Sequence, residues 1–159
     1  MMLSTAEKFD FISFKIEESI MDDQVSLTTI NINLSCKDRL IGLLTVIVAY
    51  IAVRCLSLFR ICKILRPMKG HCSREITTHE ADIAWAAVRK SNLFLLGRVA
   101  CLELSLAFML FALTKGLSST WCVGVATEPI GAHSWVEVAG KPFREVNNFE
   151  HRFRKLLTV

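Results

Sequence analysis

The chain reads as an α+β domain in which a central cysteine-bearing helix packs on a small antiparallel sheet, preceded by a long apolar helix. Three observations predict this. Arg98–Lys115 is apolar around most of a helical circumference, as expected of a helix at the centre of a domain. After Gly116 the period changes, and Ala132–Val138 alternates as a strand does. Ahead of both lies the apolar run Leu40–Phe59, which carries one charge, Arg54.

Bulk properties narrow the classes. A length of 159 residues suits one domain, or one domain with an N-terminal extension. The composition is 52% hydrophobic with a mean hydropathy of +0.42, and the excess sits near residues 40–59 and 93–113. The net charge of +4 comes from scattered basic residues with no aromatic interleaving, which argues against nucleic acid. A mildly positive surface suits an acidic peptide and an anionic membrane face equally. The six cysteines include no C-x-x-C pair, and Cys55 and Cys62 fall inside a helical pattern, so neither a metal site nor a cofactor is expected. The N-terminus lacks the charged and apolar regions of a secretory signal, so the expected compartment is the reducing cytoplasm, with free thiols.

Residues 1–37 form a weakly structured extension, with a turn at Asp22–Gln24 and a strand-like pattern through Val25, Leu27, Ile30, Ile32 and Leu34. Residues 38–67 read as one long apolar helix, capped by Asp38 and ended by Pro67. Its 40–59 stretch is about long enough to span a bilayer, so membrane contact and docking on the chain's own domain are both open. Met68 to Thr78 reads as a linker. Ile83, Ala84, Ala87 and Val88 mark an amphipathic helix over His79–Ser91, with Thr77 or Thr78 as cap and Glu80 and Asp82 at its positive end. Arg98–Lys115 is closed by Gly116. Trp121–Ala126 is a short strand, Glu128–Gly131 a connection, and Ala132–Val138 a strand with His133, Trp135 and Glu137 on one face. Ala139-Gly140-Lys141 reads as a turn, Phe143–Val146 as the partner strand, and residues 151–159 as a basic tail.

Cys101 falls in the first turn of the central helix, where unpaired N–H groups and the helix dipole favour a negative sulfur. His133 lies on a strand that can bring an imidazole alongside it. Such a pair attacks a carbonyl and then protonates the leaving amine. A third group is needed to orient the ring. With a three-residue hairpin loop, Glu145 shares a face with His133 one diagonal step away, and Asn147 opposes it directly. A two-residue loop turns both away. Glu145 is the first choice and Asn147 the fallback. On residue pattern alone, Cys101 reads more readily as a small core residue than as a nucleophile, Trp135 reads as core packing, and Glu137 and Glu145 also suit solvated strand charges.

The block Gly97-Arg-Val-Ala-Cys101-Leu-Glu-Leu-Ser-Leu-Ala, then Gly124-Val125, then Ala132-His133-Ser-Trp135-Val-Glu137-Val and Gly140-Lys141 resembles the lasso-peptide maturation proteases. These are transglutaminase-like cysteine proteases, the B2 proteins of lasso-peptide biosynthesis. The resemblance covers about Glu75 to Asn147 and implies a papain/transglutaminase-like core over 75–150. It implies Cys101 as nucleophile and His133 as base, with Glu145 where the family carries an aspartate. Leu104 stands where such proteins often carry a polar residue. The implied reaction removes the leader peptide from a lasso-peptide precursor and frees the core's N-terminus for a separate ATP-dependent cyclase. Only 37 residues precede the long helix, fewer than a fused leader-recognition domain needs, so that domain is expected as a separate partner protein. The alternatives are a Cys–His acyltransferase of the same type, and a non-catalytic scaffold of the maturation complex, membrane-associated through 40–59.

Overall fold

A computed structural model describes residues 33–95, 100–127, 130–145 and 152–159. The turn and strand pattern read over residues 22–32 lie outside the described residues. Helix α1 spans Cys36–Cys55, α2 Leu58–Gly70, α3 Thr78–Leu95 and α4 Cys101–Thr114. Strands β1 (Arg74–Glu75) and β2 (Leu117–Ser118) pair in parallel. Strands β3 (Thr120–Thr127), β4 (Ile130–Val138), β5 (Lys141–Pro142) and β6 (Arg154–Thr158) form one antiparallel sheet in the order β5-β4-β3-β6.

The single long helix expected over 38–67 is two helices. Leu56 is extended (φ −120°, ψ 144°) and Ser57 starts the second helix. The apolar run conceals this break, because Leu56 packs against the core and so continues the hydrophobic pattern through a non-helical residue. Ser35 caps α1, accepting a hydrogen bond from the Lys37 N–H. Asp38, the expected cap, lies in the first turn and pairs with Lys115 at 2.7 Å, tying the start of α1 to the end of α4. Pro67 does not end α2, which runs on to Gly70. Among the described residues no helix is long and apolar enough to cross a membrane.

Helix α1 lies against α3 and α4 through small residues. Gly42, Thr45, Val46 and Ala49 are buried on α1, and Ala81, Ala84, Ala87 and Val88 on α3. A Cβ on Gly42 would sit 2.7 Å from the Ala87 carbonyl oxygen. Helix α3 starts with a capping box. The Thr77 N–H donates to the Glu80 carboxylate, and the Glu80 N–H donates to the Thr77 hydroxyl. Helix α4 is the centre of the core, with Leu106, Ala107, Phe108, Met109, Phe111 and Ala112 at 2% exposure or less. Gly116 closes it at φ +68°.

The last residues are not a loose tail, since Arg154–Thr158 is the edge strand against β3. The hairpin loop has two residues, Ala139 and Gly140, both at positive φ, so Val138 faces Lys141 and Glu137 faces Pro142. The partner strand expected over 143–146 is therefore only Lys141–Pro142 among the described residues.

On an exposed helix Gly42→Ala would stabilise by about 1 kcal/mol. Here the methyl meets the Ala87 backbone, so urea unfolding is expected to show a loss of about 1–3 kcal/mol. A gain would place α1 further from α3 than described.

Candidate active site

Cys101 is the first residue of α4, after Ala100 in extended conformation (φ −64°, ψ 154°). At this position its backbone N–H belongs to the first turn, which has no acceptor within the helix. The thiol is partly exposed.

One turn further along, Ser105 is buried within an apolar helix, and its hydroxyl joins α4 to both central strands. The Trp121 indole N–H donates to Ser105 Oγ at 2.9 Å. Ser105 Oγ lies 2.7 Å from Ser134 Oγ, and Ser134 donates to the Cys122 carbonyl at 3.1 Å. Donor follows donor from β3 through α4 to β4 and back to β3. Ser134 follows His133 directly within β4, so fixing it also fixes the backbone of His133.

His133, Trp135 and Glu137 share the face of β4 turned away from Ser134, Val136 and Val138. The His133 and Trp135 rings stack nearly parallel (10°), with centroids 6.3 Å apart. Phe153 lies 5.5 Å from His133 and 6.3 Å from Trp135. The Trp135 indole occupies space that only glycine leaves at position 124, where a Cβ would come 2.8 Å from the ring. The Trp135 N–H donates to Glu137 Oε1 at 3.1 Å, and Lys155 on β6 pairs with the same oxygen at 2.5 Å. Glu137 is thus not a solvated strand charge; it is 5% exposed and paired. Beneath it the Cys122 thiol is pushed up to about 11, first by burial and then by the Glu137 charge.

Glu145 reaches His133 despite the two-residue loop. Its Oε1 lies 3.2 Å from His133 Nε2. Strand parity alone would have turned it away. Arg144 takes a left-handed conformation (φ +60°), which ends the alternation just after Phe143 has donated its N–H to the Val136 carbonyl. The Arg144 guanidinium is anchored on Asp82 of α3 at 2.7 Å, holding the bend. Asn147 lies outside the described residues.

The Cys101 side chain also hydrogen-bonds the His133 ring. Burial works against the charged ring, but the hydrogen bonds from Cys101 and Glu145, and then the charges of the same two groups, outweigh it. The His133 pKa is pushed up to about 10. Residue pattern makes Cys101, His133 and Glu145 candidates, and the structure brings His133 and Glu145 together. It missed the Ser105–Ser134–Trp121 chain, although a serine within an apolar helix and a buried indole N–H each call for a partner. Among the described residues no cluster of His, Cys, Asp or Glu is placed to hold a metal ion.

The model of the Transglutaminase-like superfamily matches residues 43–158, most of the chain, and the chain belongs to that superfamily. The match takes in α1 and the terminal strand β6 as well as the elements that carry Cys101 and His133. The superfamily includes cysteine proteases and acyltransferases. No curated protein and no solved structure matches the chain.

Ser105→Ala leaves the Trp121 N–H and the Ser134 hydroxyl short of a partner in a dry interior. Urea unfolding is expected to show a loss of about 1–3 kcal/mol, with altered near-ultraviolet circular dichroism from Trp121. The ion pair carries a pH signature. A histidine whose pKa rises on folding stabilises fully below its ordinary 6.5 and loses that contribution as pH passes about 10. Glu145→Gln is therefore expected to cost about 1–3 kcal/mol at pH 7, and the difference from wild type should shrink as pH rises from 7 and vanish by about pH 10. A pH-independent difference would contradict the pairing.

Proposed function

We propose that this transglutaminase-like chain is a cysteine peptidase that removes the leader peptide from a lasso-peptide precursor. One observation carries the reading: a cysteine at the first position of a buried helix interacts with a histidine that also meets a carboxylate. Cys101 is the nucleophile, His133 the proton carrier and Glu145 the group that orients the ring. The lasso-specific part rests on the order and spacing of the block from Gly97 to Lys141.

In this mechanism the pair holds its proton on His133 and the sulfur attacks the carbonyl carbon joining leader to core. The carbonyl oxygen becomes an oxyanion, for which the Cys101 backbone N–H is the nearest donor of the helix terminus. The imidazolium gives its proton to the core's amine as the carbon–nitrogen bond breaks, leaving the leader as a thioester on Cys101. Water then attacks the thioester, His133 takes its proton, and the leader leaves as a free acid. Glu145 keeps one ring nitrogen occupied throughout, so the other always faces the reacting atoms. A glutamate performs this with one more rotatable bond than an aspartate, and the Arg144–Asp82 anchor offsets that freedom by fixing the backbone that carries it.

The reading places the chain in the cytoplasm beside two other proteins. One is a separate leader-recognition protein that delivers the precursor, and the other an ATP-dependent cyclase that consumes the freed amine. Incubation of the chain with precursor and leader-binding partner tests it. Cys101→Ala is expected to lower leader release by at least about a thousandfold, with the leader recovered as a free acid from wild type. Undiminished release would exclude the mechanism, and a leader–amine conjugate in place of the acid would make the chain an acyltransferase.

A further inference from the structure

Helix α1 is apolar on both sides. Opposite its buried seam, Leu40, Leu44, Ile47, Val48 and Ile51 are 38–58% exposed and recur at the spacing of one helical face. Lys37 lies three residues before this stripe and Arg54 three residues after it, so a cation sits on the same face at each end. They are about 25 Å apart along the helix. Arg54 is held there over the Tyr50 ring at 4.6 Å. From Arg39 to Arg74 the chain has seven basic residues and no acidic one.

A second copy of the helix does not suit this face. Antiparallel pairing sets Lys37 against Arg54, and parallel pairing sets each against itself, so both arrangements place cations together beside the apolar contact. The occupant must be apolar in the middle and acidic at both ends. Residues 1–32 carry that pattern in sequence. They hold six acidic residues and two basic ones, a net charge of −4 in a chain of +4. Phe9, Ile12, Ile16 and Ile20 span twelve residues, the span of Leu40 to Ile51. Glu7 and Asp10 stand at one end of that run, and Asp22 and Asp23 at the other.

We propose that the exposed face of α1 is the docking surface for the chain's own first 32 residues. Only Asn33, Leu34 and Ser35 separate that segment from α1, so it returns antiparallel to the helix. Asp22 and Asp23 then meet Lys37, and Glu7 and Asp10 meet Arg54. Tethering makes the association intramolecular, with a high effective concentration. The proposal is independent of the peptidase chemistry.

Cys36 and Cys55, exposed at the two ends of the same face, supply the test. A benzophenone maleimide is attached to either thiol of the wild-type full chain, irradiated, and its products mapped by peptide mass. The expected result is crosslinks from Cys36 into residues 18–25 and from Cys55 into residues 5–12. Crosslinks to a second copy, or none into residues 1–32, overturn the proposal, as does co-sedimentation of the full chain with phosphatidylglycerol vesicles. Charge exchange provides a second arm. Lys37→Glu with Arg54→Glu is expected to raise binding of an apolar-surface dye severalfold, and adding Glu7→Lys, Asp10→Lys, Asp22→Lys and Asp23→Lys to return it to the wild-type level. Failure of the exchange to restore it also overturns the proposal.

Discussion

The Ser105 hydroxyl, one helical turn beyond Cys101, is bonded at once to a residue of β3 and a residue of β4. The site depends on this contact because the Cys101 thiol and the His133 imidazole come from different elements. Apolar packing holds α4 on the sheet but tolerates sliding, since dispersion contacts have no direction. Hydrogen bonds with fixed partners do not tolerate it, and burial raises the cost of breaking them. The helix is thereby set in register with the strand at Ser134, the residue next to His133. Cys101, on the same helical face as Ser105, is carried into range of the imidazole.

A second layer supports the ring from its other side. Trp135 lies under His133, its indole N–H is held by Glu137, and Glu137 is neutralised by Lys155 on the terminal strand. A buried carboxylate without partners would be costly, and here both the indole and the ammonium stabilise it. The edge strand β6 thus contributes to the environment of a histidine twenty-odd residues earlier in sequence. The span of the superfamily match, which runs to residue 158, agrees with a domain that needs that strand.

Much of this was legible in the sequence, for identifiable reasons. Period marked α4 and β4, and helix-end chemistry gave Cys101 a reason to be reactive. What escaped was governed by single residues that break a local rule. Arg144 at positive φ reverses the parity that should have turned Glu145 away, and no propensity argument assigns that conformation to arginine. Leu56 interrupts a helix while remaining apolar and packed, so hydropathy runs straight through it. Glu137 looked like a surface charge because its partner Lys155 lies on a strand whose pairing is set by tertiary structure. Gly124 is required by the Trp135 ring crossing it, a contact visible only once β3 and β4 are in register.

The His133 ring couples Cys101 and Glu145 into one unit. Nuclear magnetic resonance titration of the His133 imidazole tests it without substrate or partner. The midpoint is expected near 10 in the free protein, and it should fall below 6.5, where burial alone acts on the ring, when Cys101 is replaced by alanine and Glu145 by glutamine together. A His133 midpoint near 6.5 in the unmodified chain, unmoved by either replacement, would show that the three residues are not coupled.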